Sequence, residues 1–96
     1  MKLDERTFGD SPAAIKLAQI INENNLDSSR VSKFLQKFNE RLKSINHLDK
    51  DMANYLGQLI FKEMSKYCTL IPKPLNTYTH NVMCAKYRDW IKTNIK

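Results

Sequence analysis

A row of four basic side chains at helical spacing is the feature of this sequence best suited to binding. Arg30, Lys33, Lys37 and Arg41, called here the first basic row, follow one another at intervals of 3, 4 and 4 residues. In an α-helix these intervals place side chains on one face. Such a row can contact several phosphates of a nucleic acid, each contact adding salt-dependent affinity. The alternative is a solvated face that keeps a small protein soluble.

A second basic row lies at the end of the sequence, where Arg88, Lys92 and Lys96 are spaced by four residues. If both rows face the same side of the protein, they form one basic surface. The sequence leaves their relative orientation open, because it depends on how the helices pack.

The start of the second predicted helix also permits a helix-turn-helix interpretation. In that arrangement the first residues of the second helix would meet base edges; the residues concerned are Ser28, Ser29, Arg30, Ser32 and Lys33. The preceding turn lacks the glycine that such turns often contain. Short turns between helices also occur in ordinary bundles, so the pattern is not specific.

His80 and Cys84 stand four residues apart, a spacing found in metal sites. Zinc would need two further ligands, for which Cys68 and His47 are the candidates, and no second close pair such as CxxC provides a specific signal. We therefore interpret His80 and Cys84 as packing residues and predict no metal and no cofactor. The sequence contains no glycine-rich phosphate loop, no HExxH and no GxSxG, so we predict that the protein is not an enzyme.

Three aromatic residues form a candidate protein interface. Tyr55 and Phe61 lie at opposite edges of the apolar arc of the third predicted helix, and Tyr78 lies off the main apolar face of the fourth. Exposed aromatic residues often anchor interfaces, although a wide apolar arc is also typical of a central helix. Glu63 falls inside the same arc and, if it is buried, requires a partner such as a lysine or a tyrosine hydroxyl; the alternatives are a solvent-exposed groove or a contact with a partner protein.

Four amphipathic helices position these residues. Apolar side chains recur at intervals of 3 and 4, and Ser11, Asp27 and Asp49 are candidate caps. We predict helices over about residues 12–24, 28–46, 50–68 and 77–95. The apolar arc of the third helix spans about 240° on a helical wheel, so we place this helix at the centre of an all-α, compact four-helix bundle-like domain. Ala53 and Gly57 should let one neighbour approach it closely.

The segment before the fourth helix contains Pro72 and Pro74, and we predict an ordered, extended crossover there. At 96 residues the chain fits one domain, residues 1–96, with residues 1–10 as a candidate flexible N-terminal arm. We find neither a secretory signal nor a membrane span, and two cysteines are too few for a disulfide framework, so we expect a cytoplasmic protein. Frequent Lys, Asn and Ile suggest an AT-rich genome, such as that of a phage or mobile element, a low-GC bacterium or a protist.

Two functional hypotheses follow from a net charge of +6 and these patterns. The first is a small basic helical module that binds nucleic acid or a nucleoprotein machine through the two basic rows. The second is a protein-protein interaction module, such as a phage-type inhibitor, a regulator or an adaptor, that docks on a larger acidic protein through the edges of the third helix and the Pro72 to Pro74 crossover. A homodimer is a further way to bury the wide apolar arc of the third helix.

Overall fold

The computed structural model describes residues 2–95, and the regular secondary structure in this range is entirely α-helical. Helix α1 spans Pro12–Glu23, α2 spans Ser29–Lys43, α3 spans Lys50–Cys68 and α4 spans Leu75–Asn94. The radius of gyration of 13.6 Å is typical of a compact chain of this length. The prediction of a compact, all-α, four-helix bundle-like domain is confirmed. None of the helices in residues 2–95 combines the length and apolar character needed to cross a bilayer.

The helix starts follow from side-chain caps. The Ser11 hydroxyl accepts a hydrogen bond from the Ala14 backbone N–H at 3.2 Å, directly before Pro12 at the first helical position. The Asp49 carboxylate accepts from the backbone N–H groups of Asp51 and Met52 at the start of α3. The Asp27 carboxylate likewise accepts a hydrogen bond from the backbone N–H two residues on, at Ser29, where α2 begins, whereas Ser28 directly before the helix makes no side-chain cap.

Helix α4, and not α3, is the central helix, so the predicted centre was wrong. The backbone of α4 lies against α1, α2 and α3, whereas α3 lies against α2 and α4. The core side chains of α4 point towards several neighbours and include Leu75, Thr79, Val82, Met83, Ala85 and Trp90. The wide apolar arc of α3 was misleading because one edge of it remains exposed to solvent.

The predicted close approach at Gly57 is confirmed, and the neighbour is α4. A Cβ atom added to Gly57 would lie only 2.6 Å from Cζ3 and 2.8 Å from Cη2 of Trp90. The Trp90 ring is itself held in place, because its indole N–H donates a hydrogen bond to the Asn46 side chain. Glycine therefore allows the Trp90 ring to lie against the backbone of α3.

The segments that flank the helices pack against them. Phe8 is buried in the core, and the Leu3 backbone exchanges two hydrogen bonds with the Asn22 side chain, so the predicted N-terminal arm is anchored to the helices at these two points. Residues 69–74 form a compact series of turns rather than the extended crossover that we predicted. Ile71 in these turns is buried, which folds the segment back onto the core.

Candidate protein-binding surface

Helices α2 and α3 are joined on the protein surface by an ion pair. The Arg41 guanidinium Nη2 lies 3.1 Å from Glu63 Oε2, and its Nη1 lies 3.5 Å from the Met64 sulfur. The Glu63 side chain is 49% exposed, so it is not a buried carboxylate, and its partner is an arginine rather than the predicted lysine or tyrosine. This contact places the last turn of α2 beside the C-terminal half of α3.

Cations surround Glu63 on several sides. The hydrogen bond and charge of Arg41 lower the pKa of Glu63 below its ordinary value, and Lys37 and Lys66 add smaller effects in the same direction. Each of these residues therefore lies close enough to Glu63 to influence its ionisation. Three cations around one carboxylate leave the boundary between α2 and α3 with a positive charge.

Three of the four side chains in the first basic row are exposed on the surface. Arg30, Lys33 and Lys37 are exposed and form no ion pair with any residue in the range 2–95. Arg41 is held by Glu63, and its side chain is only 32% exposed. The part of the row that can accept a new partner is therefore the N-terminal part of α2.

Arg88 and Lys92, the residues of the second basic row that the structure describes, do not line the groove between α2 and α4. The groove between α2 and α4 is lined on the α4 side by Lys86 and Thr93. Arg88 is about 160° and Lys92 about 120° around the helix axis from Lys86, so both point away from α2, and both are exposed. Lys96 lies outside the described residues. The basic surface that would combine both rows is not formed by Arg88 and Lys92.

A row of apolar side chains on α3 is exposed to solvent. Met52, Tyr55 and Leu59, called here the α3 stripe, are 48%, 60% and 46% exposed. Their spacing of three and four residues places them within about 60° on one edge of the helix. Tyr67 at the C-terminal end of α3 and Leu70 in the following turn are 53% and 66% exposed. These five are the large hydrophobic side chains exposed within residues 2–95.

The α3 stripe is exposed because it lies on the outer side of the helix, about 140° around the axis from the buried residues of α3. Arg41, in the last turn of α2, already reaches Glu63. The stripe lies 4 to 11 residues before Glu63 in the sequence, which is about 6–17 Å further along the helix axis. Beside this half of α3, the turn after α2 packs inwards through the buried Ile45 and the bond of Asn46 to Trp90, whereas the stripe faces solvent.

Of the three aromatic residues predicted at an interface, Tyr55 is exposed and the other two pack against the core. The Phe61 ring lies between Phe38 and Tyr87, with centroid distances of 6.4 and 4.8 Å, and Tyr78 also packs on the core. The sequence prediction missed Met52 and Leu59 as exposed residues because it placed α3 at the centre. Lys62 and Lys66, which share the edge of Leu59, were the signal that this edge faces water.

The cysteine and histidine side chains lie near one another without forming a metal site. Cys84 Sγ lies 3.6 Å from His80 Nδ1, and the Cys68 thiol donates to the Asn76 carbonyl oxygen at 3.4 Å. No group of three His, Cys, Asp or Glu residues converges in residues 2–95 as a metal would require. Burial raises the pKa of Cys68 to about 11 and also raises that of Cys84, so both thiols are protonated at neutral pH and are poor nucleophiles.

The arrangement of α1 and α2 does not fit a helix-turn-helix motif. The two helices of such a motif pack against each other, whereas α1 and α2 have no close backbone approach within the described chain. No protein-family model, curated protein or solved structure matches this chain significantly. The function proposed below is therefore inferred from the surface chemistry of the chain.

Proposed function

We propose that this protein is a non-catalytic interaction module that docks through α3 on an acidic surface of a larger protein. The observation that carries the proposal is that, within residues 2–95, all five exposed large hydrophobic side chains lie on α3 and the turn that follows it. Isolated exposed apolar residues are normal, but a contiguous group with a polar rim is typical of a binding surface. Tyrosine among them is a residue type that often dominates interface energetics.

The rim of this surface indicates the charge of the partner. Lys62 and Lys66 lie on the same edge of α3 as Leu59, and Lys37 is beside them on α2. Glu63, at the C-terminal end of the stripe, is paired with Arg41, and Asp51 lies at the N-terminal end. A positive rim accelerates association with an acidic partner and disfavours a basic one. The proposal therefore combines apolar anchoring by α3 with electrostatic selection by lysines.

Binding of nucleic acid is the second candidate function. It is favoured by Arg30, Lys33 and Lys37, which share one face and are free of ion pairs in the described chain. The three residues span only about 10 Å along α2, and Arg88 and Lys92 point elsewhere. Nucleic-acid binding would also leave the α3 stripe without a role. Protein docking gives a role both to the α3 stripe and to the lysines of its rim.

Selection from a displayed peptide library tests the proposed function. The full-length chain is the target, and the Tyr55→Glu, Leu59→Glu double variant is the counter-target. A Gln19→Glu, Asn81→Glu variant is the matched control, since it adds the same charge at exposed positions on α1 and α4. We expect enriched sequences that combine acidic and apolar residues. These sequences should bind the parent and the control alike and bind the counter-target at least about tenfold more weakly.

Two outcomes would count against the proposal. One is the absence of any enriched sequence, and the other is enrichment of peptides that bind the counter-target as tightly as the parent. A mixed-sequence oligonucleotide tests the second candidate in parallel. If it binds the parent, loses affinity in the Lys33→Glu, Lys37→Glu variant and is unaffected by the counter-target substitutions, nucleic-acid binding is the better account.

A further inference from the structure

We infer that the docking element of the partner is an acidic amphipathic α-helix that lies along the N-terminal half of α3, beyond the end of α2. The inference rests on the proposed function and makes it more specific, because it names the secondary structure, charge and position of the bound segment. Its basis is the shape of the α3 stripe, the space next to it and the distribution of charge around it.

The shape of the stripe suits a helix. Met52, Tyr55 and Leu59 form a ridge one helix wide that rises about 10 Å along the axis of α3. Ridges at these spacings fit into the grooves of a second helix at an interaxial distance of about 8–10 Å. An extended peptide, in contrast, binds by adding to the exposed backbone edge of a sheet. The described chain has no strand to provide such an edge.

The space beside the stripe is one that a helix can occupy. Helix α2 covers α3 as far as the contact of Arg41 with Glu63, and α2 itself ends at Lys43. Met52, Tyr55 and Leu59 lie on the outer side of α3 and are open to solvent, whereas the turn that follows α2 packs inwards through Ile45. A partner helix lying along the outer side of α3 would bury this exposed edge.

Charge selects an acidic helix over a second copy of this chain. Lys62 and Lys66 follow the stripe on the same edge, so carboxylates of a bound helix would meet them at the C-terminal end of the stripe. A second copy would bring its own excess of positive charge, since the chain has a net charge of +6. Bringing two such surfaces together is opposed electrostatically, whereas an acidic helix is attracted.

A panel of three fluorescent peptides of about 18 residues, with capped termini, tests the inference against the full-length chain. The first peptide has leucines at helical spacing flanked by glutamates. The second has the same composition with the leucines at alternate positions, which favours a strand. The third is the first with every glutamate replaced by lysine. Fluorescence anisotropy gives the affinities, and circular dichroism of the complex reports the helicity of the bound peptide.

We expect the first peptide to bind most tightly and to become helical on binding. Tyr55→Ala and Leu59→Ala should each weaken it by about tenfold or more, as expected for apolar anchors at the centre of an interface. Lys62→Glu with Lys66→Glu should also weaken it, and added salt should reduce that difference. Lys2→Glu with Lys16→Glu is the matched control, because it reverses two exposed charges on α1 and the segment bound to it, and α1 has no close backbone approach to α3; it should leave the affinity within about twofold.

The outcomes separate this inference from the proposed function. If the alternating peptide binds as tightly as the helical one, or if binders selected from the library are extended when bound, the helical inference is overturned while protein docking stands. The helical inference is also overturned if none of the three peptides binds at about 1 mM, while the binders selected from the library still lose affinity when Tyr55 is replaced. If the chain alone dimerises and Tyr55→Glu abolishes the dimer, a second copy is the occupant. If the three peptides do not bind and the library also gives no binder that depends on the α3 stripe, both proposals are overturned.

Discussion

Gly57 offers a quantitative test of the packing that positions α3 against α4. In an open helical position, Gly→Ala stabilises by about 1 kcal/mol. At Gly57 the new methyl group would lie 2.6 and 2.8 Å from ring carbons of Trp90, so the ring has to move. Overpacking of this kind costs about 1–3 kcal/mol, and loss of the Trp90–Asn46 hydrogen bond adds about 0.5–1.5 kcal/mol. We therefore expect Gly57→Ala to lower the free energy of unfolding by roughly 1–3 kcal/mol.

Urea unfolding of the parent and the variant measures this change, with Trp90 fluorescence as an additional report on the ring environment. A decrease of the expected size corresponds to a fall in Tm of about 4–8 °C per kcal/mol for a chain of this length. The control is the same substitution in a Trp90→Phe background, where the ring carbons that meet the methyl group are absent and the loss should largely disappear. An increase in stability of about 1 kcal/mol on Gly57→Ala in the parent would refute the close packing of α3 on α4.

Three further predictions follow from the described side chains. The pKa of Glu63 is lowered from its ordinary value of 4.5, so its pairing with Arg41 stabilises the fold fully above pH 4.5. This stabilisation is lost as the pH falls through the lowered pKa. Glu63→Gln should therefore reduce the loss of stability on acidification in that window, which urea unfolding at a series of pH values measures. Cys68 is buried and its pKa is about 11, so a thiol reagent at pH 8 should modify it only on unfolding, and rapid modification in the folded chain would contradict its burial. Tyr55→Ser should change the free energy of unfolding by less than about 0.5 kcal/mol, and a larger loss in thermal unfolding would mean that this ring supports the fold.

The helices could be predicted because their signals are local. Spaced apolar residues and caps fixed α1 and α3 to within about one residue. Ile45 misled the prediction for the end of α2: it continues the apolar face and is buried, but it lies in a turn. The start of α4 was placed too late, because Pro74 can stand directly before the helix at Leu75, where its missing N–H group is not needed.

The candidate site could be predicted only in part because it depends on packing between helices. The exposure of Lys33 and Lys37 follows from the position of the first basic row beside the apolar face of α2. The pairing of Arg41 with Glu63 joins residues 22 positions apart, and no local pattern indicates it. The width of an apolar arc shows how much of a helix can be buried, but not whether its own chain covers it. For that reason the exposed edge at Leu59 emerged only from the fold.

Amide chemical-shift mapping tests the central claim most directly. The ¹⁵N-labelled full-length chain is titrated with a binder obtained from the peptide selection, and the shifted residues are located on the structure. The account predicts that the largest shifts fall on the α3 stripe and on Lys62 and Lys66, with smaller shifts near Lys37. Shifts centred on α1 or on the Arg88 and Lys92 face, with the stripe unaffected, would contradict it.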